Sequence, residues 1–310
     1  MSALICGSLA FDTVMVFHGR FRDHILPDRI HMLNVSFLVP GLRRNFGGCA
    51  GNIAYNLALL GGAGAPMATV GHDFEPYREW LRARSVDLRH VTEVDGEYTA
   101  QAFITTDLDD NQITAFHPGA MGHSHVNRVP DGEGITLGVV APDGREGMLQ
   151  HAAQFADADI PLLFDPGQGL PMFDGAELAD FIAKASWIAV NDYEGQLLRE
   201  RTGLGLAEIA DRVRALIVTR GAQGSVIHAD GREIVIPPVA PAVVADPTGC
   251  GDAYRAGLIF GLQNGLDWET TGRVASLMGA IKIEHAGTQH HRFTRGEFEE
   301  RFAASFGRRL

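Results

Sequence analysis

Short apolar, β-branched runs alternate with helix-length amphipathic segments along most of this chain, the pattern of an α/β fold built on a mainly parallel sheet. Strands are expected near Ala3–Cys6, Pro66–Val70, Leu137–Val140, Leu162–Asp165, Trp187–Asn191 and Leu216–Arg220. Helices are expected to begin near Gly51, Pro76, Gly144, Gly175 and Asp192, with two more over about Gly249–Asn264 and Trp268–Glu284. Two stretches, about residues 13–46 and 98–121, break that rhythm. In Gln101-Ala102-Phe103-Ile104-Thr105-Thr106 and Gln112-Ile113-Thr114-Ala115-Phe116, polar and apolar residues alternate with period two and no helix intervenes. Such alternation predicts half-exposed antiparallel strands. The expectation is one domain over residues 1–310, with the two insertions paired into a small sheet projecting from it. Two separate edge hairpins would give the same pattern.

With 310 residues and 45% hydrophobic content, the chain can bury a large core. A net charge of −12 and only two lysines, Lys184 and Lys282, argue against a nucleic-acid surface, which needs clustered cations to neutralise phosphates. Small-molecule partners fit better. The amino terminus has no basic segment ahead of an apolar run, and no stretch approaches the length of a bilayer span, so a cytoplasmic protein is expected. Cys6, Cys49 and Cys250 are too widely spaced for a CxxC pair, in keeping with reduced thiols.

Candidate chemistry concentrates in Asp246-Pro247-Thr248-Gly249-Cys250-Gly251-Asp252, which follows a strand-like Ala242-Val243-Val244-Ala245 and opens a helix-compatible run. Glycines let backbone approach a ligand closely, and the first N–H groups of a helix lack internal acceptors and favour negative charge. The segment therefore suits an anion hole at Gly249, Cys250 and Gly251. Asp252 is then either a capping carboxylate or a proton acceptor.

This segment resembles the carboxyl-terminal signature of the ribokinase, or PfkB, family of carbohydrate and nucleoside kinases, three-layer α/β proteins with a small β-sheet lid. The resemblance implies an ATP-dependent kinase in which Asp252 is the general base that deprotonates an acceptor hydroxyl. Backbone N–H groups of Gly249, Cys250 and Gly251 would stabilise the transferring phosphoryl group. Cys250 stands where the family usually has glycine or alanine, a change that keeps the backbone donor. Further segments match in the family's order. Arg44-Asn45-Phe46-Gly47-Gly48-Cys49-Ala50-Gly51-Asn52 resembles the amino-terminal signature. With Asp12, just beyond the first strand, it implies acceptor binding by Asp12, Gly47, Gly48 and Asn52. Asn191-Asp192-Tyr193-Glu194 matches an N-x-x-E motif whose glutamate organises Mg2+ through water; the same residues also read as an N-cap with its capping-box partner. Thr219-Arg220-Gly221-Ala222-Gln223-Gly224 resembles a segment that contacts ATP, and Glu284-His285-Ala286-Gly287-Thr288-Gln289 the final loop beside the adenine. ATP contacts are thus expected from Asn191, Thr219, Gly221, Gly224, Gly287 and Gln289. A monovalent cation such as K+ is implied at the backbone of Asp246 and Thr248. His285, His290 and His291 lack the spacing of paired zinc ligands and are expected at the surface or beside the adenine.

No Gly-Lys dipeptide occurs, so there is no Walker-type phosphate loop, and the first strand leads into Cys6-Gly7-Ser8-Leu9-Ala10-Phe11 rather than G-x-G-x-x-G. Within the family, residues 34–40, 110–121 and 164–169 look most like bacterial nucleoside (adenosine) kinases. Phe116, Asp165 and Gln168 are expected at the acceptor, while Phe11, Phe37, Phe103, Phe116 and Met121 offer apolar surface for a nucleobase. The implied reaction is phosphorylation of the primary 5′-hydroxyl of a nucleoside such as adenosine. A ribose or fructose kinase is the alternative, as is a non-catalytic nucleoside- or sugar-binding regulator. The exposed lid sheet could supply a homodimer interface.

Overall fold

The computed structural model describes residues 2–25, 34–109 and 111–310; residues 26–33 of the first insertion and Asp110 of the second lie outside the described residues. Six strands form the parallel heart of the molecule: β1 (Ser2–Cys6), β4 (Gly64–Val70), β8 (Ile135–Val140), β9 (Leu162–Phe164), β10 (Trp187–Asn191) and β11 (Ala215–Thr219). Short β5 (Val91–Glu93) and the hairpin β12 (Ser225–Ala229) and β13 (Arg232–Ile236) complete a nine-stranded sheet in the order β13-β12-β11-β10-β9-β8-β1-β4-β5. Only the β11/β12 and β12/β13 pairs are antiparallel.

Period-two geometry sends successive side chains of each strand to opposite faces, and both faces are covered. Ala3 and Ile5 of β1 join one core and Leu4 and Cys6 the other; Trp187 and Ala189 of β10 divide from Ile188 and Val190 in the same way. The first core is covered by α1 (Cys49–Leu59), α2 (Glu75–Arg82), α7 (Cys250–Gln263), α8 (Trp268–Ile283) and α9 (Arg295–Phe306). The second is covered by α3 (Arg145–Asp157), α4 (Gly175–Lys184), α5 (Asp192–Thr202) and α6 (Leu206–Ala210). Each fully buried Leu, Ile or Phe in these layers contributes about 1.5–3 kcal/mol. Helices α7 and α8 touch almost backbone to backbone: a Cβ on Gly257 would lie 2.4 Å from the Cα of Ala275. That contact fixes the helix that carries Asp252.

Strand order reverses at β1, whose neighbours β4 and β8 lie on opposite sides, and in open α/β sheets ligands bind outside the carboxyl ends at such a switch point. Asp143, Asp165, Asn191 and Thr219 all fall at or just beyond carboxyl ends of strands, and Asp12 lies near the start of the strand that follows β1.

Strands β2 (Ala10–Val16), β3 (Gly41–Gly47), β6 (Ala100–Thr106) and β7 (Gln112–His117) form one four-stranded sheet in the order β3-β2-β6-β7. The β2/β3 and β6/β7 pairs are antiparallel, but β2 and β6 are parallel, which corrects the expectation of wholly antiparallel strands. Both insertions run outward from the same sheet edge, so their outgoing strands share a direction. A second correction concerns Ala242–Ala245, which forms no strand. Its Val243 and Val244 are exposed, and the N–H groups of Ala245 and Asp246 both donate to the Ile283 carbonyl, so the segment hangs from the end of α8 instead of joining a sheet. No helix is long and apolar enough to cross a membrane among the described residues.

Candidate active site

A cavity of about 990 Å3 lies between the four-stranded sheet and the carboxyl edge of the central sheet. Alternation along the lid strands decides which residues face it: Ala10, Asp12 and Val14 of β2, Ala102 and Ile104 of β6, and Thr114 and Phe116 of β7. Of the five residues expected to receive a nucleobase, Phe116 and Met121 line the cavity. The other three do not. Phe103 is out of phase and 40% exposed on the opposite side, and Phe11 is fully buried against Phe46 and Tyr77. Phe37 packs with Phe17 and Phe21.

Asp12, Gly48, Asn52, Asp165, Gln168, Asp246, Thr248, Gly249, Gly251 and Asp252 all line this cavity, as do Asn191, Glu194, Thr219, Gly221 and Gly287. Burial, with the Asp246 charge second, raises the Asp12 carboxyl to about 6. Gly47 serves Asp12 by clearance rather than by lining the cavity, since a Cβ there would sit 2.5 Å from Asp12 Oδ2. Gly48 requires its φ of +85°, and its backbone lies so close to Ser8 and Ala10 that no side chain would fit.

Asp252 occupies the first turn of α7, whose N-cap Gly249 is in the left-handed region at φ +79°. Burial pushes its carboxyl up to about 7, and the nearby Asp165 charge adds to the rise. A hydrogen bond from Asn52 Nδ2 to Oδ2 at 2.8 Å, the Arg255 guanidinium and Cys49 act in the opposite sense. The carboxylate is therefore poised near neutrality. The N–H of Cys250, expected in the anion hole, is committed to the Pro247 carbonyl at 3.2 Å, and Cys250 faces a different cavity. Gly249, Gly251 and Asp252 are left to present N–H groups from the helix start. Burial also raises the Cys250 thiol to about 11, which keeps it protonated and unreactive.

Two side chains missed in the sequence hold this arrangement. Arg255, one turn beyond Asp252 and 5% exposed, donates to Asp165 Oδ1 at 3.0 Å and to the Ala189 carbonyl at 3.2 Å, and lies 3.9 Å from Glu194 Oε2. The i, i+3 spacing on one helix face was its only sequence signal. Trp80 anchors a chain of amides. Its indole N–H, a donor only, gives to Gln289 Oε1 at 3.1 Å, and Gln289 Nε2 then donates to Asn52 Oδ1 at 2.9 Å. That fixes Asn52 with its own Nδ2 toward Asp252. Gln289 is thus a buried positioning group behind the acceptor side, not an ATP contact as expected, because both ends of its amide are already engaged.

Glu194 forms a capping box with Asn191: Asn191 N donates to Oε2 and Nδ2 to Oε1, both at 2.8 Å, while Glu194 N donates to Asn191 Oδ1 at 2.7 Å. Of the three histidines expected at the surface or beside the adenine, His290 is exposed and His285 half-buried, while His291 needs correction. His291 is wholly buried and bonds to Asn56 Oδ1 at 2.6 Å, with desolvation holding its pKa down to about 3.

A second, apolar cavity of about 370 Å3 adjoins the first at Thr219, Gly221 and Gly251. Gly224, expected to contact ATP, lines it as well, together with Pro238, Val239, Pro241, Val244, Gly279, Ala280 and Ile283, seven residues not expected at a ligand.

Known proteins share the sequence family and the fold. The family model described as pfkB family carbohydrate kinase matches residues 12–294, and the chain belongs to that family. Among relatives, it is 31% identical over 303 residues to a nucleoside kinase of Methanothermobacter thermautotrophicus, covering 96% of this chain and 97% of that protein. Its fold matches the Burkholderia thailandensis nucleoside kinase in complex with inosine, at a TM-score of 0.90 and 53% identity over 99% of both chains. The same kinase in complex with ADP-inosine matches at a TM-score of 0.88 and 54% identity, covering 99% of this chain and 97% of that one.

Proposed function

We propose that this protein transfers the γ-phosphoryl group of ATP to the primary 5′-hydroxyl of a nucleoside, with adenosine and inosine among the acceptors. The observation that carries this reading is the position of Asp252, at the helix start where a polar cavity under the lid meets an apolar one. The acceptor ribose sits in the larger cavity against Asp12, Gly48 and Asn52, with its base toward Phe116, Met121 and Gln168. Adenine of ATP enters the apolar cavity, and the phosphates run past Thr219 and Gly221 toward the N–H groups of Gly249 and Gly251. The 5′-oxygen forms a bond to the γ-phosphorus as the bond to the β,γ-bridging oxygen breaks. The hydroxyl proton passes to Asp252, and ADP carries away the electron pair.

Asp165, Glu194 and Asp252 crowd the buried guanidinium of Arg255, three carboxylates about one cation, an excess of negative charge that suits a divalent ion. Glu194, through water, would hold Mg2+, which supplies neutralisation of the phosphate charge. We also assign closure to the four-stranded sheet, whose inner face excludes water from the larger cavity and limits futile hydrolysis. On its outer face the register aligns Leu42, Met15, Thr105 and Ile113 across four strands, with Leu42 63% and Ile113 44% exposed. The apolar members of this row, Leu42, Met15 and Ile113, are proposed to pair two copies into a homodimer, which sedimentation should detect.

ADP release measured over adenosine, inosine, guanosine, cytidine, ribose and fructose tests the acceptor. Turnover on nucleosides with little on free sugars is expected. Turnover confined to sugars would replace the nucleoside reading, and ligand binding without turnover on any acceptor would favour a regulator.

A further inference from the structure

We infer that the Lys282 ammonium is a built-in monovalent cation of the phosphoryl-transfer centre, taking the place at Asp246 that the family resemblance assigns to a dissolved ion such as K+. This inference rests on the phosphoryl-transfer reading of the Asp246–Asp252 segment. Lys282 is one of two lysines in the chain, lies in the last turn of α8 and is 0% exposed. Its Nζ donates to the backbone carbonyls of Asp246, at 2.8 Å, and His285, at 3.1 Å. Among the described residues it makes no ion pair with a carboxylate. Burying an ammonium costs several kcal/mol unless its surroundings compensate, so a lysine that only filled space would be a poor choice here. What surrounds it is a pair of carbonyl oxygens from two loops, the kind of ligand that replaces the hydration shell of K+.

The two loops are tied to each other as well as to the cation. Asp246 Oδ1 accepts from the Thr248 N–H at 2.9 Å, and Oδ2 accepts from the Gly287 N–H at 2.8 Å. The turn of Asp246–Thr248, the His285–Gly287 loop and the ammonium therefore form one unit that leads directly into the helix start at Gly249–Asp252. Burial lowers the Lys282 pKa from its ordinary value, and the nearby Asp246 and Asp252 charges oppose that fall and favour the ammonium. A dissolved K+ does not fit beside it, since it would compete for the same carbonyls and repel the ammonium at contact distance. A tethered cation needs no binding step and holds the loop in place before substrate arrives. Lys282 thereby acts as a positioning residue through the Asp246 carbonyl.

The test replaces choline chloride stepwise by KCl at constant ionic strength while turnover and melting temperature are followed. Neither should respond in the wild-type protein. Lys282→Met, which keeps the aliphatic stem, should lose about ten- to hundredfold in kcat. It should regain part of that loss in KCl or NH4Cl but not in choline chloride, and its melting temperature should rise selectively with the same salts. Activation of the wild type by KCl would overturn the inference, as would a Lys282→Met enzyme with undiminished turnover or with no selective response to K+. If Lys282→Met does not fold, the wild-type salt series still decides. The melting arm does not depend on turnover, so a wrong acceptor assignment cannot be mistaken for a wrong cation assignment.

Discussion

The two cavities that meet at Gly251 are built on opposite principles. The larger one carries Asp12, Asn52, Asp165, Glu194 and Asp252, while the smaller is walled mainly by proline, valine, alanine and isoleucine side chains and glycine backbone, with Thr219, Tyr254 and Ser276 as its polar members. Carboxylates and amides at fixed positions can select a pattern of hydroxyls and receive a proton, because a mismatched partner leaves a buried polar group unpaired. An apolar slot can only measure shape. Discrimination and chemistry should therefore reside on the lid side, and the other side should grip its ligand chiefly by burial.

The largest expected effect comes from removing the base on the polar side. Asp252→Asn should lower kcat by about 10^2–10^4-fold, the range for loss of a positioned general base, while nucleoside binding by calorimetry stays nearly intact. Retained turnover would dissolve the proposed division of labour. In the native enzyme the acid limb of the kcat/KM profile should fall near pH 7, and the Asp12 carboxyl, raised to about 6, should add a second limb to the same profile. Stability gives an independent check with a definite sign. A carboxyl raised from 3.8 to about 7 binds a proton in the folded state that the unfolded chain releases, so its contribution is full below about pH 4. That contribution is lost as pH rises through 7. Asp252→Asn should accordingly melt higher than the native protein at pH 8 and no higher at pH 4.

The polar side was also the more legible in sequence. Asp12, Gly48, Asn52 and Asp252 stand in local patterns where glycines and helix starts have a direct physical reading. The alternating strands of the insertions announced a small sheet, but not its facing: without the register Ala102↔Phe116 and Phe103↔Ala115, nothing distinguishes Phe116 as cavity-lining from Phe103 as solvent-facing. The apolar cavity left almost no trace, since Pro238, Val239, Pro241 and Val244 come from coil without period and Gly279 and Ala280 from a helix about forty residues on. Gln289 was misassigned because its partner Asn52 lies 237 residues away in sequence, and local spacing carries no record of such a contact.

Gln289→Glu sharpens the contrast from behind the site. The new carboxylate can still accept from the Trp80 indole, but it cannot donate to Asn52 Oδ1. Asn52 would turn its Nδ2 toward the carboxylate and present Oδ1 to Asp252, removing the hydrogen bond that lowers the Asp252 pKa. A hydrogen bond to a charged group is worth about 1.5–3 kcal/mol, so kcat at pH 7 should fall about 10–100-fold, with the acid limb displaced upward and activity partly restored at higher pH. A loss of melting temperature with an unmoved pH profile would mean that Gln289 merely packs.

The smallest effect is expected from the apolar side. Gly279 lies on α8 facing the smaller cavity, and a Cβ there would meet the Cys250 carbonyl at 3.7 Å, an ordinary contact, so the backbone tolerates a side chain. Gly279→Leu should fill space meant for the adenine ring and raise KM for ATP about tenfold, the order of discrimination that a few methylene groups produce in an apolar pocket. KM for the nucleoside should not move, nor should the pH profile, because the substituted wall touches neither Asp252 nor Asn52. If nucleoside KM rose instead, the two cavities would have been assigned the wrong way round. Equal rises for both substrates would show that the junction at Gly251 transmits strain between them, and the separation of grip from chemistry would then be a matter of degree.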